Sequence, residues 1–448
     1  MQLPQAVHDL ITRLEQAGFS AYAVGGCVRD SLLGLPPHDW DLCTSALPEQ
    51  IRKVFHDFRT VETGLKHGTL TVLVDRVPYE ITTFRVDGEY SDHRHPDSVS
   101  FVTDLREDLA RRDFTVNAMA YTPSSGLADP FGGREDLASG VIRCVGEAEQ
   151  RFSEDALRIL RALRFASVYD FSIEAETDRA LRLMAPDLRN VAGERVREEL
   201  LRLLCGKACG RILRAYPGVL GEILPDLCPM FGYDQKNHHH SYDLWEHTVQ
   251  GVEGVPPDPL LRLTMLLHDT GKPVVRTFDQ QGEAHYYGHP KASAEIALRA
   301  AETLRLDSAF RDRLYTLVLN HDIPLRNAAG DVDVEPSFLL HRLNRFGEEN
   351  LRALFLIHRS DRTATGYSSA EREDERLRRR VEALDALLAT RPCFTLKDLA
   401  VNGNDAVACG LRGPAVGAAL HSLLDDVMDG RLPNDREALL AELYRSVT

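Results

Sequence analysis

The chain contains no apolar run approaching the roughly 20 residues a membrane-spanning helix requires. Its opening residues, Met1 to His8, show no basic stretch leading into an apolar one, so no export signal is expected. Eight cysteines are scattered, and even the closest pair, Cys205 and Cys209, makes no Cys-x-x-Cys. That spacing argues against a zinc ribbon or a disulfide framework and leads us to expect reduced thiols and a cytoplasmic location, with no membrane partner. No fixed-period repeat is visible. Positive charge is also short, with 53 Lys and Arg against 68 Asp and Glu for a net charge of −15. Such a balance disfavours a protein that coats nucleic acid, but not an enzyme that grips one RNA locally. Between 194 and 214, Arg195, Arg197, Arg202, Lys207, Arg211 and Arg214 outnumber the acids, as either a solvated helix face or an RNA path.

What is present fits a multidomain globular protein: 448 residues, 43% hydrophobic and 27% charged. Up to about residue 140, short strand-like runs such as 68–74 and 77–84 alternate with helical pattern. After Arg143 the pattern is helical almost throughout, with apolar residues at helical spacing over 156–165, 194–204 and 260–267. Breaks at 217–232 and 254–259 read as loops, and 363–380 as a loop that becomes a surface helix. The fold class is therefore α/β followed by all-α, a small α/β head and a helical body.

The most informative stretch is 22–45. Tyr22 to Val24 reads as a strand broken by Gly25-Gly26, where the backbone can approach an anion closely. A helix predicted over 28–33 would offer its N-terminus to phosphate, and Arg29 could add a bidentate contact. Asp39 and Asp41, two apart on a predicted strand, would project from one face. Two carboxylates with substrate phosphates make a typical magnesium site, suited to phosphoryl transfer.

This stretch resembles motif A of the class II tRNA nucleotidyltransferases, the CCA-adding enzymes and bacterial poly(A) polymerases of the polymerase-beta superfamily. Further motifs follow in the family's order. Asp108 to Tyr121 is similar to motif B, with Asp108, Arg111, Arg112, Asp113 and Asn117 in place to hold phosphate, ribose and a 2′-hydroxyl. Leu127 to Gly133 resembles motif C. Glu154-Asp155 and Arg158 match motif D, in which the family uses an Asp and an Arg as a protein template for C and A; Arg161 and Arg164 continue that helical side. Residues 193–199 resemble motif E, a brace for the neck. Glu80 is the candidate third carboxylate. Residues 86–104 resemble the family's flexible loop, with His95 departing from the arginine expected after Arg94.

A second set, His247, His268, Asp269, His289, His321 and Asp361, resembles the HD phosphohydrolases. The resemblance implies transition metals (Fe, Mn, Ni or Zn) with Asp269 bridging. His240 is a candidate supporting residue, His238 and His239 are expected to be solvated, and Asp322 is a neighbour outside the set. The implied architecture is a nucleotidyltransferase head (1–140), a helical neck (141–220), an HD-type helical domain (221–368) and a helical tail (369–448) toward tRNA. Mg2+ held by Asp39 and Asp41 would serve attack of a tRNA 3′-hydroxyl on CTP or ATP. The alternatives are poly(A) polymerase or an A-adding enzyme; of a different class, an HD phosphohydrolase with an inactive head.

Overall fold

The computed structural model of the chain describes residues 1–62, 64, 68–88, 98–236, 241–325 and 332–446. It divides into two units, Met1–Pro225 and Asp226–Thr448. Among the described residues no helix is long and apolar enough to cross a membrane.

The first unit is built on a seven-stranded sheet. Its strands are β1 (Ala21–Val24), β2 (Leu42–Thr44), β3 (Arg59–Val61), β4 (Thr69–Val74), β5 (Val77–Thr83), β8 (Ala120–Thr122) and β9 (Gly126–Ala128). They lie in the order β3-β4-β5-β2-β1-β8-β9, with β2 and β5 parallel and every other neighbouring pair antiparallel. Val24, Cys43, Phe84, Leu109, Ala118 and Ala120 form an apolar core beneath it. The ends of the predicted flexible loop form a separate ladder, β6 (Arg85–Asp87) with β7 (Val99–Phe101). Arg94 and His95 lie outside the described residues.

Helices α1 (Gln5–Gln16), α2 (Gly26–Leu32), α3 (Pro48–Val54), α4 (Leu105–Ala110) and α5 (Gly133–Ser139) flank these strands in sequence. The Asp129 carboxylate accepts from the amides of Gly133 and Arg134 and so starts α5, a structural role for motif C. Beyond β10 (Val141–Ile142) come α6 (Ala148–Glu154), α7 (Leu157–Tyr169), β11 (Ser172–Ile173), α8 (Ala175–Met184), α9 (Gly193–Leu204), α10 (Cys209–Ala215) and α11 (Pro217–Ile223). Helix α11 occupies part of the predicted 217–232 loop. Pro217 opens that helix, at the first position where a missing amide proton loses nothing.

The second unit is helical: α12 (Leu244–Gly254), α13 (Pro259–Leu267), α14 (Lys272–Val275), α15 (His289–Thr303), α16 (Ser308–Leu319), α17 (Pro336–Ala364), α18 (Ala370–Ala389), α19 (Gly403–Ala408), α20 (Pro414–Met428) and α21 (Arg436–Arg445). A small hairpin, β12 (Thr277–Phe278) and β13 (Ala284–His285), interrupts it. Asp243, Asp258, Asp307 and Asp435 accept from first-turn amides of the helices they precede. Helix α18 is not wholly a surface helix, because Glu373 and Arg380 are buried. Their charge is matched inside the unit: Arg376 donates to Glu373, and Arg380 donates to the Leu325 carbonyl.

Candidate functional site

Asp39 and Asp41 stand in the segment leading into β2 rather than on the strand itself. The Asp41 carbonyl still accepts from the Val24 amide at 2.9 Å, so the segment runs alongside the end of β1. In the parallel register Leu42 faces Ile81, which sets Asp41 beside Glu80. Crowding by the surrounding chain raises the Asp41 carboxyl, and repulsion from Asp39 and Glu80 raises it further, to about 6 against the partial relief of Arg112. A carboxylate whose proton affinity is held up by two neighbouring carboxylates marks a place where a divalent cation is favoured. The thiols below them are no nucleophiles at neutral pH: burial and the Asp41 charge push Cys27 up to about 11, and burial raises Cys43 likewise.

The glycine turn has φ +79° at Gly25, a value a side chain would strain, and a Cβ there would stand 2.9 Å from Arg112 Nη1. Gly26 opens α2. Arg112 is therefore the cation against the turn. Its Nε is buried without a hydrogen-bond partner among the described residues, while Nη2 lies 3.5 Å from Asp108. Arg29, in contrast, is not a free phosphate clamp. It is buried, donates to Asn117 Oδ1 (2.5 Å) and Asp30 (2.9 Å), and its guanidinium lies over the rings of Phe165 and Tyr169.

Motif B is mostly inward-facing. Asp108 is fully buried and accepts from Arg111 and from the Arg85 amide. Asp113 accepts from Asn117 Nδ2 (2.9 Å) and from Arg161 Nε and Nη2 (2.9 and 2.7 Å). Burial works to raise Asp113, but Arg161 and Asn117 outweigh it and leave its carboxyl well below the usual range. Arg161 continues to Glu199, which also takes Arg164. The result is a continuous line of bonded side chains, all but Arg161 buried, Arg29–Asn117–Asp113–Arg161–Glu199–Arg164, joining α2 and motif B to α7 and α9. Glu199 was not singled out from sequence, because an acid in an Arg-rich helical stretch reads as surface.

Asp155 and Arg158 do not share one continuous helix. Asp155 has extended dihedrals and separates α6 from α7, accepting from the Leu157 amide as a cap does. Its carboxylate is held by Arg195 through two bonds of 3.2 and 2.7 Å. Arg158 donates to Glu154 (2.6 Å) and to the carbonyls of Arg151 and Arg111. Four carboxylate lone-pair sites and five guanidinium protons leave both with capacity for a nucleobase edge. Arg111, Arg151 and Glu154 also line a cavity of about 790 Å³ with Val86, Glu107 and Gln150.

Three family models match the chain: the poly(A) polymerase head domain over residues 21–143, the RNA- and SrmB-binding site of polymerase A over 170–229, and tRNA nucleotidyltransferase domain 2 over 348–443. The CCA-adding enzyme of Levilactobacillus brevis is 35% identical over 438 residues, 98% of this chain and 96% of that one. That of Geobacillus stearothermophilus is 34% identical over 442 residues, again 98% and 96%. The chain belongs to the CCA-adding enzyme family. Similarity to the Leuconostoc mesenteroides CCA-adding enzyme is higher, 52%, but confined to 47% of this chain and 53% of that one. Among solved structures, the Bacillus stearothermophilus CCA-adding enzyme in complex with CTP superposes with a TM-score of 0.70 at 30% identity, covering 100% of this chain and 98% of that one. The Thermotoga maritima CCA-adding enzyme complexed with tRNA shares the fold, with a TM-score of 0.62 at 20% identity and 99% and 95% coverage. Members of this family are nucleotidyltransferases that use a divalent metal.

The second unit of this CCA-adding family member carries the histidine set. His247 comes from α12, His268 and Asp269 from the end of α13, His289 from the first residue of α15, His321 from just beyond α16, and Asp361 from α17. His247 Nε2 lies 3.1 Å from Asp361, 3.2 Å from Asp269 and 3.3 Å from His268 Nε2. On the other side His289 Nε2 lies 3.3 Å from Asp269 Oδ1 and 3.2 Å from His321 Nε2. Asp269 thus belongs to both groups. His268, His289 and His321 each donate Nδ1–H to a backbone carbonyl, of Met265, Tyr286 and Val318, which turns their Nε2 atoms inward. Burial alone would lower the His268 ring, yet Asp269 and Asp361 raise it to about 10, so the cluster favours a cation. Asp322 is exposed and outside both groups. His238, His239 and His240 lie outside the described residues. The sequence reading did not include Lys272, buried with Nζ 2.7 Å from Asp269 Oδ2 and 3.1 Å from Gln235. Its signal was its spacing, one helical turn after Asp269.

Proposed function

We propose that this chain adds C, C and A in turn to a tRNA 3′ end from CTP and ATP, with no nucleic-acid template. The observation that carries the reading is the meeting of Asp41, repelled by Asp39 and Glu80, with Arg112 and the Gly25 turn. In the reaction the RNA 3′-oxygen forms a bond to the α-phosphorus, and the bond to the pyrophosphate oxygen breaks. Asp39 and Asp41, with Glu80 beside them, would hold Mg2+. Bound Mg2+ neutralises developing charge and acidifies the attacking hydroxyl. Arg112 and the turn at Gly25-Gly26 hold the triphosphate, while Asp108 fixes Arg111 and Arg112. Asp155 and Arg158 read the base edge, one accepting and one donating, with Arg195 holding Asp155 in its orientation. Arg29, Asp113, Asn117, Arg161 and Arg164 act by bracing this surface. Residues 1–140, 141–220, 221–368 and 369–448 serve as head, neck, HD-type domain and tail. Extension of a tRNA transcript lacking CCA tests the site. Asp39→Ala should lower addition by about 10³-fold or more, the loss of several kcal/mol of charge stabilisation, and near-normal turnover would refute the mechanism.

The geometry at Asp269 favours a second, separate reading. The two imidazole–carboxylate groups sharing that residue suit a pair of transition-metal ions (Fe, Mn, Ni or Zn) and phosphoester hydrolysis, of a phosphatase or 2′,3′-cyclic phosphodiesterase kind. Such ions polarise phosphoryl oxygens and acidify water. His268→Ala should lose bound metal, measured by elemental analysis, and metal-dependent phosphate release; equal metal content in variant and parent would refute it.

A further inference from the structure

The triphosphate turn and the base-reading arginine stand at the starts of two different helices. Helix α2 begins at the Gly25-Gly26 turn, and α7 carries Arg158 in its first turn. Phe165 and Tyr169 follow about two and three turns on from Arg158, on the same side of α7. Both rings meet α2. The Arg29 guanidinium lies over them, 5.0 Å from the Phe165 centroid and 4.9 Å from that of Tyr169. The Tyr169 hydroxyl donates to Asp30 Oδ1 at 2.9 Å, and the same oxygen accepts from Arg29 Nε at 2.9 Å. Ring, carboxylate and cation therefore close a circuit between the two helices. Phe165 is fixed in turn: its ring stacks with Tyr169 at 17° between planes and stands edge-on to Phe114, the residue after Asp113. Burial raises the Tyr169 hydroxyl to about 12, with Asp30 adding to it against the partial relief of Arg29, so it keeps its proton and its bond at neutral pH.

Apolar side chains would fill this contact without desolvating a charge, yet Arg29 is buried here. A buried charged group of this kind is a poor source of stability, and its best-attested use is to fix one register between elements. We infer that Tyr169, together with Phe165, Arg29 and Asp30, is a positioning group that locks α2 against α7 and so sets the distance from the phosphate turn to Arg158. The group thereby acts on which nucleotide is used and how fast it is transferred. With the register fixed, only a base whose edge matches Arg158 leaves the α-phosphorus in line with the attacking 3′-oxygen. Once α2 can slide, a wrong base gains alignment and the right one loses it. This rests on the reading of Gly25-Gly26 as the triphosphate turn and of Arg158 as a base reader.

The test gives the full chain, with magnesium, a tRNA transcript lacking CCA and either CTP or UTP, and measures kcat and KM for each. The preference for CTP over UTP, as a ratio of kcat/KM, should fall about tenfold in Tyr169→Ala, chiefly through kcat for CTP, as expected for a displacement of a fraction of an ångström. Tyr169→Phe, which loses only the bond to Asp30, should fall by about threefold. A structural role alone would lower the melting temperature and slow both nucleotides alike, so an unchanged ratio in Tyr169→Ala would overturn the positioning role. If Tyr169→Ala does not fold, Tyr169→Phe decides: a lowered ratio supports the role and an unchanged one overturns it. If the parent extends the transcript with neither nucleotide, the CCA-adding reading fails. Calorimetric titration with CTP and UTP then decides the positioning group alone: a smaller difference in affinity in the variants than in the parent supports it, and an equal difference overturns it.

Discussion

Asp41 keeps its proton up to about pH 6 because crowding by the surrounding chain, Asp39 and Glu80 all disfavour its charge. Only the deprotonated carboxylate ligates a cation, so metal affinity should fall as pH drops through that value, and added magnesium should pull the proton off at lower pH. Initial rates of addition between about pH 5 and 8 should show an acid limb near 6 at low magnesium, moving downward at high magnesium. A limb that ignores magnesium would mean Asp41 is not a ligand. Arg195 presents a different case. It makes two bonds to Asp155, and Asp155 is argued to read the base. Removing it frees the carboxylate to turn, so Arg195→Ala should raise misincorporation of UTP or GTP by roughly tenfold, given about 1–3 kcal/mol for an orienting charged bond. Unchanged selectivity would limit Arg195 to bracing.

Among elements, the turn between β1 and α2 is where sequence and structure agree most closely, because Gly25 needs a dihedral that few other residues adopt. Gly25→Ala brings that strain, about 1–3 kcal/mol, and forces Arg112 away. We expect a lower melting temperature in thermal unfolding and at least tenfold weaker CTP binding by direct titration; normal binding would remove the turn from the triphosphate site. Periodicity made α7, α9 and α13 legible to within a few residues, and order along the chain collected the six residues of the histidine set before their contacts were known. Other features were beyond reach of pattern. Asp155 lies just outside the helix that carries Arg158, at a break marked by its bonds from the Leu157 amide and Arg195, which periodicity does not show. Arg29 is an ordinary phosphate candidate in sequence, and only the aromatic faces of Phe165 and Tyr169, contributed by a helix over a hundred residues away, show that it is spoken for. Lys272 and Glu199 were missed for the same reason: buried charge is visible only with its partner.

At the scale of the molecule, the chain carries two sets of chemical groups, each drawn from one unit alone: Asp39, Asp41 and Glu80 from Met1–Pro225, and the histidine cluster from Asp226–Thr448. Two such sets should fail separately. His268→Ala should retain nucleotide addition within about twofold, and Asp39→Ala should retain any metal-dependent phosphate release; loss of both activities in either variant would contradict this independence. The net charge of −15 fits the proposed function if RNA is held at local cationic positions and not by a general basic surface. The central claim concerns the first set, and one measurement tests it most directly. Purified protein with magnesium would be given tRNA transcripts lacking CCA, ending in C, or ending in CC, each with CTP, ATP or both, and the products resolved to single nucleotides. The account predicts completion to CCA on every transcript, then arrest. A long ladder with ATP alone, or addition of A only to the transcript ending in CC, would contradict it.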